Sequence, residues 1–175
     1  KVAIVHDDLV QWGGAERGLQ GLCEIYPDAP IFTSVYDFDN FQLKRNFVNK
    51  KIKTTFLQKL PGWRRAYKTL LPLYPIAFEQ FDFSEFDLVI SQTTRFAKSI
   101  ITKPHTKHIN YCLTPTRFLW DDSHRYIDEF RYPWPIKKMA PFFITYLRSW
   151  DKEAALRVDD FVAISDFVKT RIKKY

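Results

Sequence analysis

The segment HDDLVQWGGAERGL (residues 6–19) sets His6, Asp7 and Asp8 before the glycine pair Gly13-Gly14 and Glu16. It follows the apolar run KVAIV and opens a stretch with helical spacing. A glycine pair at such a junction lets main chain approach a ligand closely, and amides at a helix start favour an anion. The chemistry this suggests is phosphate binding, although a plain tight turn has the same composition. GGAERG matches neither the dinucleotide fingerprint G-x-G-x-x-G nor a Walker loop, which needs G-K-[ST]. Glu16 carries two readings, a ligand contact or an acid that suits the first turn of a helix dipole.

Other polar groups fall at corresponding places. Gln92, Thr93, Thr94 and Arg95 follow LVIS; Thr114, Pro115, Thr116 and Arg117 follow NYCL; Ser165 and Asp166 follow FVAI. In open parallel sheets, ligands bind beyond the carboxyl ends of the strands. Convergence of four polar strand ends, two of them with arginine, is the main sign of a site. Arg95 and Arg117 suit phosphate or sugar hydroxyls, with a structural ion pair as the competing role.

Two further patterns suggest other chemistry. The acids of HDD resemble the pocket of a phosphorylation-receiver domain, but the middle strand ends in Ser91 and the later one in Leu113, where an Asp and a Lys are needed. Asp37 and Asp39 in DFD have a D-x-D metal–nucleotide spacing without supporting ligands, which favours a solvated loop. Cys23 and Cys112 read as buried thiols in a reducing compartment, and His6, His105, His108 and His124 make no zinc spacing with them.

The elements that must hold these residues are legible. VAIV (2–5), IFTSV (31–35), LVIS (88–91), HINYCL (108–113) and FVAIS (161–165) read as strands, with IKTTF (52–56) as a further short one. Ala15, Leu19, Leu22, Cys23 and Tyr26 recur at helical spacing. Gly18 and Gly21 in that helix are expected to let it approach a neighbour. A long helix is expected from about 136 to 158 with Pro141 shaping its first turns, and another in DFVKTRIKKY. Alternating strands and helices predict an α/β fold, a Rossmann-like three-layer sandwich with a mostly parallel sheet. The connection from 36 to 87 is too long for a simple crossover and must carry structure of its own.

With 175 residues, 46% hydrophobic and 27% charged, the chain suits one globular domain. No run approaches the length of a membrane-spanning helix, and Asp7 and Asp8 interrupt any leader-like stretch at the N-terminus. The net charge of +7 is concentrated: nine basic residues and no acid lie between Asn40 and Phe78. The rest of the chain is close to neutral.

The stretches WGGAERGL, FLQKLPGWRRAYKTLLPLYPIAFEQFDFSEFDLVISQTTRFAKSI, YCLTPTRFLWDDSHRY, SWDKEAALRVDDFVAIS and FVKTRIKKY together resemble the N-terminal half of a family 4 glycosyltransferase. Bacterial transferases of the mannosyltransferase type that build surface polysaccharides are the nearest in pattern. The resemblance implies a GT-B architecture of two Rossmann-like domains, with this chain, residues 1–175, as the acceptor side. It implies a donor-binding C-terminal domain outside this sequence, in the same or another chain, without which activity is not expected. A retaining, metal-free transfer from a nucleotide-sugar to a glycan or lipid-linked acceptor follows, with no further cofactor and no nucleic acid partner. A cytoplasmic place, at the inner face of the plasma membrane, goes with it. The resemblance carries over Gly13 and Gly14 as the glycine-rich loop and Thr114 within a family motif, and Glu16, Arg95, Arg117 and Ser165 join them from the strand ends as candidates for donor phosphate or acceptor. Leu113 stands where the family commonly has a histidine, and it can neither donate nor accept a proton. That departure keeps a second reading open, a non-catalytic glycan- or membrane-binding module.

The basic segment at about 40–80 mixes cations with aromatics. On a helix, Trp63, Tyr67, Leu70, Leu71 and Tyr74 share one side and Arg65 lies opposite. Trp63, Arg64, Arg65 and Lys68 are therefore expected at an anionic membrane surface, the alternative being that the apolar side faces the sheet.

Overall fold

The computed structural model describes residues 1–67, 70–123, 125 and 134–175. Lys68 and His124 lie outside the described residues. β1 (Val2–His6), β2 (Ile31–Thr33), β3 (Ile52–Thr54), β4 (Leu88–Thr93), β5 (Lys107–Cys112) and β6 (Asp160–Ala163) form one sheet. Its order is β3-β2-β1-β4-β5-β6 and every pairing is parallel. This is a Rossmann-like α/β fold, with helices on both faces of the sheet.

Alternation along the strands divides the core. Ile4 and Ile31 face a cluster with Leu19, Cys23, Leu43 and Phe47, carried by α1 (Gly14–Ile25), α2 (Phe41–Asn46) and the residue after α2. Ala3, Val5, Phe32 and Val89 face the larger cluster. There α4 (Tyr74–Glu79) contributes Tyr74, Ala77 and Phe78, α5 (Arg117–Trp120) contributes Phe118 and Leu119, and α6 (Trp134–Ala155) contributes Ile144 and Leu147. Phe32 sits among Phe81, Phe83 and Phe86 at centroid distances of 5.1, 4.7 and 5.8 Å. Each such buried ring stabilises the fold by about 2 kcal/mol through removal from water.

Several expectations are adjusted. β2 stops at Thr33 because the amide of Ser34 turns to the carbonyl of Asp7 (3.1 Å) and the carbonyl of Val35 accepts from Leu9 (2.9 Å). β4 runs on to Thr93. The long helix covers 134–155, and Pro141, which has no N–H to donate, lies well inside it. Gly18 does bring α1 close to β4: a Cβ there would lie 2.6 Å from Nε2 of Gln92. Gly21 has nothing within 4 Å, so it serves no close approach.

The 36–87 connection is built into the fold. It supplies β3 at the sheet edge, the one-turn α3 (Trp63–Ala66) and α4. The expected continuous helix through Trp63 and Tyr74 is broken instead into α3, a 3-10 turn at Leu71–Leu73 and α4, consistent with Pro72 and Pro75. Its apolar side turns inward. Leu71 and Tyr74 are buried, and Trp63, Tyr67 and Leu70 lie against the same core. The last helix, α7 (Asp166–Lys174), starts at the N-cap Ser165 and buries Val168 and Arg171.

Candidate functional site

Strand order reverses between β1 and β4, the place where loops leaving the carboxyl ends of an open parallel sheet can part. Asp7 organises it. Its carboxylate accepts the amides of Thr94 (2.6 Å), Arg95 (2.9 Å), Phe96 (2.7 Å) and Ala97 (2.8 Å), and the hydroxyl of Thr94 (2.8 Å). Burial alone would push this carboxyl up, but Arg95, His6 and the donated amides outweigh it and hold Asp7 below the usual carboxylate range. Asp8 pairs with the Arg95 guanidinium. For Asp8 burial prevails over Arg95, aided by the charge of Asp7, and its pKa is raised.

The first acid is thus a clamp on the β4 loop, and the second anchors an arginine. Arg95 keeps a quarter of its side chain exposed and faces an open cleft of about 470 Å³. Thr94, Arg95, Thr114, Arg117, Phe118, Asp122 and Arg125 line that cleft. Arg117 lies 3.1 Å from Asp122 in a largely exposed pair, a geometry that costs little to open. Thr114 accepts from Arg171 and donates to the carbonyl of Pro115 (3.1 Å). Three guanidiniums border one cleft, with one acid in its lining and a second behind it, and guanidiniums are donors of the kind that can bind an anion with several oxygens.

The glycine loop stands beside this cleft rather than in its lining. The Gly13 amide donates to Oε2 of Glu16 (2.7 Å), so Glu16 is the helix cap of its two readings. Glu16 is buried, and Nε2 of His6 approaches its other oxygen at 3.8 Å. Burial would raise its pKa, but the bonds to His6 and to the loop amides prevail and lower it. Nδ1 of His6 meets Oε1 of Gln92 (3.1 Å), whose Nε2 donates to the carbonyl of Ala15 (3.0 Å). This chain of contacts fixes α1 against β1 and β4. Gly14 is exposed, with nothing within 4 Å of the position a Cβ would take. Among the described residues its amide and that of Ala15 have no acceptor, which leaves two donors at the helix start.

Ser165 caps α7 through the amide of Val168 (3.2 Å) and does not line the cleft. Leu113 is half-buried, and its amide donates to the carbonyl of Thr93 (2.9 Å). In the basic segment, Arg64 lies 3.0 Å from Asp37 and 2.5 Å from Asp39, so a guanidinium occupies the D-x-D pair. Among the described residues no group of three or more His, Cys, Asp or Glu could hold a metal ion.

Sequence reasoning missed three features. Arg125 lines the cleft from beyond the strand end. Asp151, buried on the inner side of α6, accepts from Lys98, Thr116 (3.2 Å) and Trp120 (2.9 Å) and braces the loop after β5. An acid in register with Ile144, Leu147 and Ala154 was the available signal. Asp121 receives Arg171 and the hydroxyl of Tyr175, and the Tyr175 ring stacks on Trp120 at 4.9 Å, so α7 straps the same loop. Ser91 and His108, 2.8 Å apart, carry nucleophile and base types but are wholly buried in the sheet and serve its packing.

Comparison with protein-family models, with curated proteins and with solved structures finds no match to this chain. The fold and the cleft geometry are therefore the ground for function.

Proposed function

We propose that this chain is the acceptor-side domain of a retaining glycosyltransferase, which passes a sugar from a nucleotide-sugar to a lipid-linked or polysaccharide acceptor at the cytoplasmic face of a membrane. The observation that carries the reading is the convergence of Arg95, Arg117 and Arg125 on one cleft at the carboxyl edge of the sheet, between the loop after β4 and the connection after β5. Guanidiniums bind phosphate oxygens in pairs, and a preset cluster stabilises charge that grows on a departing diphosphate. The free amides of Gly14 and Ala15 add donors at the same edge. A donor-binding domain would close over this edge and supply the nucleotide pocket. No metal is needed where arginines and amides neutralise the leaving group.

Leu113 supports a second reading, a glycan-binding module without transfer activity, because no proton carrier stands at that strand end. The two readings separate in cells. Membranes from cells lacking the gene are compared with membranes restored with wild type, Arg117→Gln or Leu113→His, using radiolabelled nucleotide-sugars and endogenous lipid-linked acceptor. Transfer restored by wild type and reduced roughly a hundredfold by Arg117→Gln supports the transferase. Transfer that is the same with and without the gene removes it.

A further inference from the structure

The 22-residue helix α6 changes character along its length. Its C-terminal part is held by Ile144, Leu147, Asp151 and Ala154, spaced three, four and three apart on one buried side. Toward its start that pattern ends. No residue of 134–143 whose exposure is described is buried. Trp134 and Phe142 are each 72% exposed, Met139 54% and Tyr146 48%. Trp134, Lys138, Phe142 and Tyr146 follow one another at intervals of four and so form a ridge along the helix. The Lys138 ammonium lies 5.2 Å from the Trp134 ring centre, and Phe142 meets Phe143 edge-on at 5.9 Å.

Isolated exposed apolar residues need no explanation, but four large ones within residues 134–146 of one helix do. The charge around them has one sign. Residues 131–150 hold four basic side chains and no acid. We propose that this ridge seats the protein on an anionic lipid surface, with Trp134, Met139 and Phe142 entering the headgroup–acyl boundary. Lys137 and Lys138 lie beside them, on stems long enough to reach lipid phosphates while their methylenes stay in the apolar layer. A lipid surface fits better than a protein groove because the ridge is convex and its aromatics alternate with a lysine instead of a run of aliphatic knobs.

The ridge is coupled to the cleft through a short path. The Arg148 guanidinium, just past the end of the ridge, donates to the carbonyl of Leu119 at 2.9 and 2.7 Å. Leu119 lies on α5, which also carries Arg117 of the cleft. Docking by the ridge would hold that cleft at the membrane surface whatever reaction it serves.

Co-sedimentation with vesicles tests this, using the chain with phosphatidylcholine alone and with mixed phosphatidylglycerol–phosphatidylcholine at low salt. Wild type is expected to partition to the mixed vesicles and to leave them as salt rises. The double variant Trp134→Ser/Phe142→Ser should lose roughly tenfold in partitioning, and Lys137→Glu/Lys138→Glu at least about fivefold. The aromatic variant should keep the wild-type thermal midpoint, since Trp134 and Phe142 are exposed, and a Lys59→Glu/Arg65→Glu variant at the other basic region should still bind. Absence of wild-type binding, equal binding to neutral vesicles, or unchanged binding by the double variant would overturn the proposal. So would loss of binding in Lys59→Glu/Arg65→Glu alone. If the aromatic substitutions instead convert a dimer to a monomer with vesicle binding absent, the ridge is a protein interface and the lipid assignment is wrong.

Discussion

The segment from Phe56 to Glu79 and the first half of α6 have nearly the same chemistry in the sequence, aromatic residues interleaved with lysine and arginine. Their fates are opposite. In the first, Leu71, Tyr74 and Phe78 close the core over β4 and leave Lys59, Arg64 and Arg65 outside. In the second, Trp134, Met139 and Phe142 stand in solvent. The difference lies in anchoring. The first segment is tied between β3 and β4, strands three positions apart in the sheet, so it must cross the open face and its rings fill that space. Helix α6 joins the core only through its C-terminal part, from Ile144 on, and no residue of its first turns whose exposure is described is buried. Composition identifies an aromatic–basic stretch, and topology decides which way its rings point.

The sharpest test of that contrast is stability. Tyr74→Ala empties a fully buried site and should cost about 4 kcal/mol. Phe142→Ser, at a ring just as apolar, should change stability by less than about 0.5 kcal/mol. Denaturant unfolding of both variants measures the gap, and comparable losses would place Phe142 in a core this structure does not contain.

A smaller effect separates inward from outward polar groups. Burial pushes the His108 imidazole down to about 4, against the pull of Asp159. The unfolded chain takes up a proton below its ordinary value near 6.5 while the folded chain stays neutral, so stability falls as pH drops from about 6.5 toward 4. The loss reaches about 3 kcal/mol at the lower end. Thermal midpoints between these pH values should therefore decline, and His108→Gln should flatten the slope. A slope unchanged by that substitution would mean that His108 is already accessible to protons.

The smallest effect compares two glycines one turn apart. Gly18→Ala sets a methyl against Gln92 and disturbs its bonds to His6 and Ala15, a cost of about 1 kcal/mol even after the gain in helix propensity. Gly21→Ala meets open space and should stabilise by up to about 1 kcal/mol. Opposite signs confirm that α1 approaches β4 at Gly18 alone.

The sheet was largely readable because parallel strands are short apolar runs with polar ends, as at VAIV-HDD and LVIS-QTTR. The outer helices were less so. Pro141 was expected to shape the first turns of a helix from about 136, yet the helix starts at Trp134 and runs on past it, since one missing donor is tolerated where the long C-terminal half is packed. The site was half readable. Arg95, Thr114 and Arg117 were found at strand ends and do line one cleft. Gly13, Glu16 and Ser165 share that edge, but they spend their polar groups on capping helices. Asp7 was visible as an acid and not as a clamp, because five donors from residues 94–97 converge on it only after folding.

The account depends on anions meeting the cleft between the β4 and β5 ends and not the basic segment at 40–78, where charge is densest in sequence. Backbone amide shifts during titration with inorganic pyrophosphate test this directly. The account predicts the largest shifts at Gly14, Thr94, Arg95, Thr114 and Arg117, with Arg117→Gln diminishing them. Shifts confined to Lys44–Lys59, with the strand-end amides unmoved, would contradict it.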